Sequence, residues 1–309
     1  MKQIKTGYGF VLKNMKKDLS LIQNQKCVKN KTFVIAGGTR GVGFSIAEHM
    51  IKRGANIAIL GKTFDSHLKN ENTIDDSDKK LLNIQCNKPI QPQKRYETQY
   101  ETQYETQYET QGNVYGVVCD IRNYESINEG KKQILKKFGS IDGLIINASA
   151  LCLNSTLNQT QSEIDLMNGI NIKGSFNVGK VYLDAIQKTS THPQVLLISP
   201  PLDMLFNNDW WINNLYYSMS KFNMSLMAKF WNEEFPNIAV NTLWPYTIVD
   251  TTSVRNLLNN NEIVNKSSKL SIMGTSASYI LSADPKVVHG QNFIDDEVIM
   301  SVGIDVEKI

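Results

Sequence analysis

A tyrosine and a lysine stand four residues apart in the segment Tyr217-Ser218-Met219-Ser220-Lys221. The segment opens an amphipathic helical pattern, so this spacing puts Tyr217 and Lys221 on one helix face. A phenol is too weak an acid to exchange protons near neutral pH, and a neighbouring cation favours its ionised form. The pair therefore predicts proton transfer at a substrate oxygen. Tyr216 is excluded as the base because its i+4 neighbour is Ser220.

A second candidate site is a glycine-rich turn between an apolar run and a helical pattern. It consists of Gly37, Gly38, Thr39, Arg40, Gly41, Val42 and Gly43. Glycines let the backbone turn tightly and approach a pyrophosphate, whose charge is met by free N–H groups and the positive helix end. The turn therefore predicts a nucleotide cofactor, with a plain tight turn as the alternative.

The end of the second predicted strand bears on which cofactor binds. NAD-preferring proteins usually place an acidic residue there to bind the ribose 2′-hydroxyl. This sequence has Lys62 instead, and Lys62 with Arg40 suits a 2′-phosphate, so we predict NADP(H). A solvated loop charge is the alternative for Lys62. Asp120, which ends the third predicted strand, is expected either to bond the adenine amino group or to cap the helix beginning near Asn123.

The elements that position these residues follow from an alternation of apolar runs and helical patterns. The runs cover residues 32–36, 55–60, 114–119, 143–146, 195–198 and 238–243, and the helical patterns cover 44–53, 123–138, 161–187 and 216–235. Strands that are apolar on both faces need helices on both sides of the sheet. The sequence thus predicts an α/β fold with a Rossmann-type, doubly wound parallel sheet. Residues 291–295 are expected to add an edge strand.

We expect a single Rossmann domain at residues 31–300, after a basic N-terminal extension at 1–30 and before a tail at 301–309. An insertion at 64–112 expands the connection between the second and third strands. Within it the tetrad Tyr-Glu-Thr-Gln occurs four times in succession from residue 96. A four-residue period lies near that of a helix and predicts a lengthened surface helix, with a disordered tract as the alternative. We assign no chemistry to the repeat.

Composition excludes several classes of protein. A formal charge of +3 over 309 residues gives no case for nucleic-acid binding, and no apolar stretch is long enough to span a membrane. The four cysteines and four histidines lack metal-ligand spacing, so no metal site is expected. Residues 1–31 hold eight lysines against one acid. This bias predicts a mitochondrial presequence, with a solvated basic tail as the alternative.

Several motifs in this order resemble those of the short-chain dehydrogenase/reductase family over residues 30–300. They are the glycine turn, Asn147-Ala148-Ser149, Asn171-Ile172-Lys173-Gly174, and Tyr217 with Lys221. Residues 60–63, 198–202 and 241–245 are further similar to the hydroxysteroid dehydrogenase-like group, whose known members are peroxisomal or mitochondrial and linked to lipid metabolism. We expect the sterol-carrier domain of some members to be missing, because the sequence stops at Ile309.

The resemblance also implies roles for individual residues. Asn147 steadies the central strand and the cofactor region, and Asn171 holds a water that links Lys221 to solvent. Lys221 also bonds the nicotinamide ribose. Thr251 bonds the nicotinamide carboxamide.

The catalytic serine of the family is the member that fits least well. Alignment of the strand end puts Pro200 at the serine position, and proline offers neither a hydroxyl nor an N–H. Ser199, eighteen residues before Tyr217, is the candidate, and Ser149 is another possible donor. Loss of one such donor commonly costs about a hundredfold in rate. We therefore expect low activity or an unusual substrate.

The predicted function is an NADP(H)-dependent oxidoreductase acting on a carbonyl or secondary alcohol of an apolar, lipid-like small molecule. Trp210 and Trp211 fall where this fold builds its substrate wall and suit an apolar ligand, with packing over the sheet edge as the alternative for at least one of them. The alternative is a non-catalytic, nucleotide-binding scaffold subunit of a larger mitochondrial assembly. We expect helices 161–187 and 216–235 to form a homo-oligomer face. The mitochondrion is the expected location, with the peroxisome and the cytoplasm as alternatives.

Overall fold

The computed structural model describes residues 19–62, 64, 112–206, 214–252, 254–255, 267–306 and 309. The Tyr-Glu-Thr-Gln repeat, Thr63, the two tryptophans 210 and 211 and most of the basic N-terminal extension lie outside the described residues. The predictions made on those segments stay predictions.

The described part of the chain forms one sheet of seven strands, in which every neighbouring pair is parallel. The strands are β1 (Thr32–Ala36), β2 (Asn56–Gly61), β3 (Val114–Val118), β4 (Gly143–Ile146), β5 (Gln194–Ile198), β6 (Ala239–Trp244) and β7 (Asn292–Ile294). Their spatial order is β3-β2-β1-β4-β5-β6-β7. This order confirms the predicted Rossmann-type sheet, with β7 as the expected edge strand.

Helices connect the strands. They are α1 (Gly41–Lys52), α2 (Tyr124–Phe138), α3 (Gln161–Met167), α4 (Ser175–Thr189), α5 (Leu215–Glu234), α6 (Leu270–Ser282) and α7 (Asp295–Ser301). The single helix predicted at 161–187 is divided by a π-helical turn, Asn168–Gly174, between α3 and α4. None of the helices in the described residues is long and apolar enough to cross a membrane.

Side chains along each strand alternate between two hydrophobic cores, one on each face of the sheet. In β1, Val34 and Ala36 face the core that contains side chains of α2, α4 and α5. Phe33 and Ile35 face the core that contains side chains of α1, α6 and α7. Because both faces are covered, the strands are apolar at consecutive positions, which is the pattern from which the parallel sheet was predicted.

Helix α6 was not predicted from the sequence. It is rich in serine and also carries glycine and threonine, which have weak helix propensity, so its stability depends on packing. It lies against α1, where Ser45 Oγ donates a hydrogen bond of 2.9 Å to Leu270 O. Gly274 permits this approach, because a Cβ there would lie 2.5 Å from His49 Nδ1.

The chain changes direction at β1. Strands β2 and β3 follow on one side of it, and β4 to β7 lie on the other. The carboxyl ends of β1 and β4 therefore border a crevice, which is where doubly wound sheets bind their ligands. The glycine turn follows β1, and Asn147 follows β4.

Candidate active site

The glycine turn lies tightly against the segment that follows β4. Gly37 has φ = 85°, and a Cβ there would lie 2.7 Å from the Ala148 Cα. Asn147 Nδ2 donates a 2.7 Å hydrogen bond to Gly37 O. A Cβ at Gly43 would lie 2.6 Å from that same Asn147 nitrogen. The turn thus needs glycine at both positions and leads directly into the N-terminus of α1, where unsatisfied N–H groups suit a phosphate.

The other predicted residues of the turn lie along this crevice edge. Arg40 is exposed and occupies the residue before α1, whereas Val42 packs towards the core of α1 and α6. The Thr39 methyl group lies over Gly61 at the end of β2. Gly41 has φ = 59°, and a Cβ there would lie 3.6 Å from Thr251 Cγ2. The structure therefore brings Thr251 beside the glycine turn, although the two are far apart in sequence.

Charged side chains meet at the ends of β2 and β3. Arg122 Nε donates to Asp120 Oδ1 at 2.9 Å, and its Nη2 donates to Asp120 Oδ2 at 2.5 Å. Lys62 Nζ lies 3.9 Å from the same carboxylate. The hydrogen bonds from Arg122 lower the pKa of Asp120 to about 2. Asp120 is therefore an anion at any physiological pH, and two exposed cations, Lys62 and Arg122, lie beside it at this end of the crevice.

The alternative that Asp120 caps the following helix is wrong. Asn123 is the capping residue of α2, and its side chain accepts a hydrogen bond of 3.0 Å from Ser126 N. Arg122 was not identified from the sequence. Its position two residues after Asp120 was the available signal, since a side chain so close in sequence can fold back onto the carboxylate.

Tyr217 lies in the first turns of α5 and is 8% exposed. Burial raises the pKa of the phenol above its usual range, and a hydrogen bond with the Ser149 side chain acts in the opposite direction. A second, charged group is therefore needed to make this phenol useful as a base near neutral pH.

Lys221 lies one helical turn after Tyr217 and is 2% exposed. Its Nζ donates a 2.6 Å hydrogen bond to Ile198 O and lies 5.4 Å from the centroid of the Trp244 ring. Burial lowers the pKa of Lys221 to about 7. The Ile198 carbonyl and the Trp244 ring both favour the charged ammonium, which offsets part of the cost of burying it.

Asn171 joins the segment after β4 to the start of α5. Its Oδ1 accepts from Ala150 N at 2.7 Å, and its Nδ2 donates to Ala150 O and to Ser220 Oγ, each at 2.9 Å. Ser220 Oγ in turn donates to Tyr217 O at 2.7 Å. Asn171 lies within the π-helical turn, a form that interrupts helices frequently at functional sites. Its expected role in holding a water stays a prediction.

Ser199 and Pro200 follow β5 directly. Ser199 is fully buried, its N–H donates to Leu243 O at 3.1 Å, and its Oγ has no hydrogen-bond partner among the described residues. Pro200 O accepts a 2.6 Å hydrogen bond from Ser225 Oγ. The structure thus holds Ser199 next to the carbonyl that binds Lys221, but with its hydroxyl inside the protein. Its role as a substrate donor stays a prediction.

A buried carboxylate binds the backbone of the segment after β6, and it was not identified as a site residue from the sequence. Asp295, at the start of α7, accepts a 2.7 Å hydrogen bond from Tyr246 N. Burial raises the pKa of Asp295 to about 6. A single buried acid at the end of an edge strand gives no sequence signal, because only the fold brings it to the segment that leads to Thr251.

Apolar side chains pack around Tyr217. They belong to a cluster that includes Leu151, Leu153, Met167, Leu202 and Trp244. Leu151 and Leu202 lie in the segments that follow β4 and β5, and Trp244 is the last residue of β6, so all three lie near the carboxyl ends of the strands. This arrangement suits the binding of an apolar molecule beside the Tyr217 hydroxyl.

The sequence profile of the short chain dehydrogenase family matches residues 89–262, which is more than half of the chain. The chain belongs to the short-chain dehydrogenase/reductase family. This membership implies a nicotinamide nucleotide as cofactor. The glycine turn fits one, because side chains are excluded at Gly37 and Gly43 and a helix N-terminus follows.

Individual relatives agree with this assignment to the short-chain dehydrogenase/reductase family. The chain is 32% identical over 285 residues to hydroxysteroid dehydrogenase-like protein 2 of Danio rerio, covering 92% of this chain and 61% of that protein. A protein from Xanthomonas campestris solved as a dehydrogenase superposes with a TM-score of 0.72 at 28% identity, covering 90% of this chain and 91% of its own. A short chain dehydrogenase from Mycobacterium thermoresistibile superposes with a TM-score of 0.70 at 29% identity, covering 90% of this chain and 89% of that chain. The chain spans about three fifths of the length of the curated relatives.

Proposed function

We propose that this short-chain dehydrogenase/reductase interconverts a carbonyl and a secondary alcohol on an apolar, lipid-like substrate with NADP(H). The observation that carries the proposal is the position of Tyr217 and Lys221. Both are buried on one face of α5, and Asn171 ties the start of that helix to the segment beside the glycine turn. A phenol and an ammonium thus lie one helical turn apart, on a helix that is tied to the segment beside the phosphate-binding turn.

The proposed chemistry assigns a proton to Tyr217. The nicotinamide, when bound, exchanges a hydride with the substrate carbon. In the reducing direction the Tyr217 hydroxyl gives its proton to the carbonyl oxygen, and in the oxidising direction the phenolate takes the proton of the alcohol. The positive charge of Lys221 lowers the cost of that phenolate. The apolar side chains around Tyr217 exclude water and thereby strengthen this electrostatic effect.

The proposed substrate class follows from the apolar cluster around Tyr217, which includes Leu151, Leu153, Leu202 and Trp244. An apolar alcohol is also consistent with the name hydroxysteroid dehydrogenase-like that the curated relatives carry. The proposed mitochondrial location rests on the basic N-terminal segment alone.

The direct test is oxidation of NADPH, or reduction of NADP⁺, across a panel of long-chain and steroid-like ketones, enals and secondary alcohols, with short polar analogues as controls. We expect turnover that rises with the apolar area of the substrate. Cofactor binding without turnover of any compound in the panel contradicts the proposal and supports the scaffold subunit.

The preference for NADP(H) is proposed from the cations at the end of β2. Changing Lys62 to aspartate is expected to weaken the affinity for NADPH by about ten- to a hundredfold, the size of one lost charge-assisted hydrogen bond with repulsion added. NADH lacks the 2′-phosphate, so its affinity changes much less. Titration of the intrinsic fluorescence with each cofactor measures both constants.

The matched control for this change is Lys188→Asp, which makes the same charge reversal on the exposed part of α4 beside Asp184. We expect it to leave both cofactor affinities as they are. Equal losses for NADPH and NADH in Lys62→Asp would remove the phosphate assignment.

We also propose that the outer face of α4 and α5 joins copies of the chain. Phe176, Met219, Leu226 and Phe230 are 47%, 50%, 43% and 65% exposed, and the last three lie on one face of α5. The Phe176 ring reaches the next helix, 6.2 Å from the Trp231 ring. Exposed apolar side chains on neighbouring helices are characteristic of interaction surfaces.

Light scattering is expected to give at least a dimer, and Phe230→Glu is expected to lower the measured mass. A monodisperse monomer of the unchanged chain contradicts the homo-oligomer.

A further inference from the structure

The candidate active site needs a second hydroxyl beside Tyr217, because a developing charge on the reacting oxygen is stabilised best by more than one donor. Pro200 offers no such group, and the Ser199 hydroxyl is fully buried without access to the crevice. The donor must therefore come from another element, and the structure offers one on the segment after β4.

Ser149 is that group. Its side chain is hydrogen-bonded with the phenol of Tyr217, and Ser149 itself is exposed to the crevice. Its Oγ also donates a 3.3 Å hydrogen bond to Ala150 O, and so long a bond is weak enough for the hydroxyl to rotate towards the phenol. Of the three residues considered, only Ser149 combines a hydroxyl, exposure and contact with the reacting group.

The backbone on both sides of Ser149 is fixed. On one side Asn147 donates to Gly37 O, which ties the segment to the glycine turn. On the other side Asn171 binds both the N–H and the carbonyl of Ala150. The backbone that carries the Ser149 hydroxyl is thus held in place before a substrate arrives, which lowers the cost of reorganising this donor.

Asn171 is also linked to the backbone of Tyr217. Asn171 also donates to Ser220 Oγ, and Ser220 Oγ donates to the carbonyl of Tyr217. These contacts run from Ser149 through Ala150, Asn171 and Ser220 to Tyr217. The hydrogen bond between Ser149 and Tyr217 closes them into a ring. One buried amide, that of Asn171, is therefore linked to the backbone beside both hydroxyls.

We propose that Ser149 is a catalytic residue that takes the place of the serine missing at position 200, and that it donates its single hydroxyl proton in a hydrogen bond to the Tyr217 oxygen during the proton transfer. The proposal rests on the oxidoreductase function proposed above. In the reducing direction Tyr217 loses its proton to the carbonyl oxygen, and Ser149 stabilises the phenolate that remains. In the oxidising direction the phenolate regains the proton. Ser149 keeps its own proton throughout.

The kinetic test compares Ser149→Ala with Ser149→Thr, which restores a hydroxyl, and with Ser199→Ala. Ser149→Ala is expected to lower kcat by about ten- to a hundredfold, the size of one hydrogen bond to a charged group, with the affinity for NADPH retained. Ser149→Thr recovers most of the loss. Ser162→Ala, the same change on the exposed start of α3, is the matched control and keeps the full rate.

The pH profile gives a readout that a purely structural role would not move. The hydrogen bond from Ser149 lowers the pKa of Tyr217, so its removal raises that pKa. Alcohol oxidation needs the phenolate and is lost below this pKa. The acidic limb of the oxidation rate therefore moves to higher pH in Ser149→Ala and returns in Ser149→Thr.

A spectroscopic measurement separates this proposal from the oxidoreductase function. With tyrosine isotope-labelled at Cζ, the NMR resonance that disappears in Tyr217→Phe is expected to shift in Ser149→Ala, whether or not a substrate is known. If the unchanged chain turns over nothing, the oxidoreductase proposal fails while this shift remains. If the unchanged chain is active and Ser149→Ala is equally fast, or Ser199→Ala alone is slow, the assignment of Ser149 is overturned.

Discussion

Changing Tyr217 to phenylalanine is expected to lower kcat by about a hundred- to ten-thousandfold, the contribution typical of a general acid or base. The ring stays in the apolar cluster, so the α5 helix and its packing are retained. Only the hydroxyl that exchanges the proton is removed. Because no nucleotide-binding group changes, the affinity for NADPH is expected to stay the same, and fluorescence titration measures it beside the steady-state rate.

The matched control is Tyr216→Phe, which removes the same atom from the neighbouring residue of α5. Tyr216 has Ser220 rather than Lys221 one turn later, so we expect this variant to keep most of the activity. A fall in rate for Tyr216→Phe as large as that for Tyr217→Phe would show that the spacing to Lys221 does not determine which tyrosine acts as the base. A Tyr217→Phe variant with unchanged kcat would remove the proposed mechanism.

Changing Gly43 to alanine is expected to weaken the affinity for NADPH by about ten- to a hundredfold. The new Cβ would lie 2.6 Å from Asn147 Nδ2, so it competes with the hydrogen bond from Asn147 to Gly37 O. Breaking a part-buried hydrogen bond costs about 1–3 kcal/mol, and the turn moves from the position that binds the phosphates. Isothermal titration calorimetry measures the affinity, and a thermal melt reports how much of the effect is loss of stability.

Gly169→Ala is the control for this change. A Cβ at Gly169 would lie 3.5 Å from Arg122 Cδ, which is an ordinary contact, and alanine is favoured over glycine within a helix. We expect this variant to bind NADPH as the unchanged chain does. Normal cofactor binding by a folded Gly43→Ala would contradict the assignment of the turn as the phosphate site.

The sequence by itself determined the class of fold. The runs that form β1 and β4 are apolar at consecutive positions, which requires that both faces of the sheet be buried. The helical patterns between the runs predicted the helices that bury them. The glycine turn and the Tyr217 to Lys221 spacing were equally visible, because each depends on residues close together in the chain. Local patterns of this kind predict elements and the pieces of a site.

The tertiary structure decided how those pieces meet. The hydrogen bond between Ser149 and Tyr217 and the hydrogen bond of Asp295 to the segment after β6 both join residues that are distant in sequence. The same is true of α6, whose weak propensity is overcome only by its packing on α1. Such contacts exist only when packing brings separate elements together, so no periodicity or spacing in the sequence predicts them.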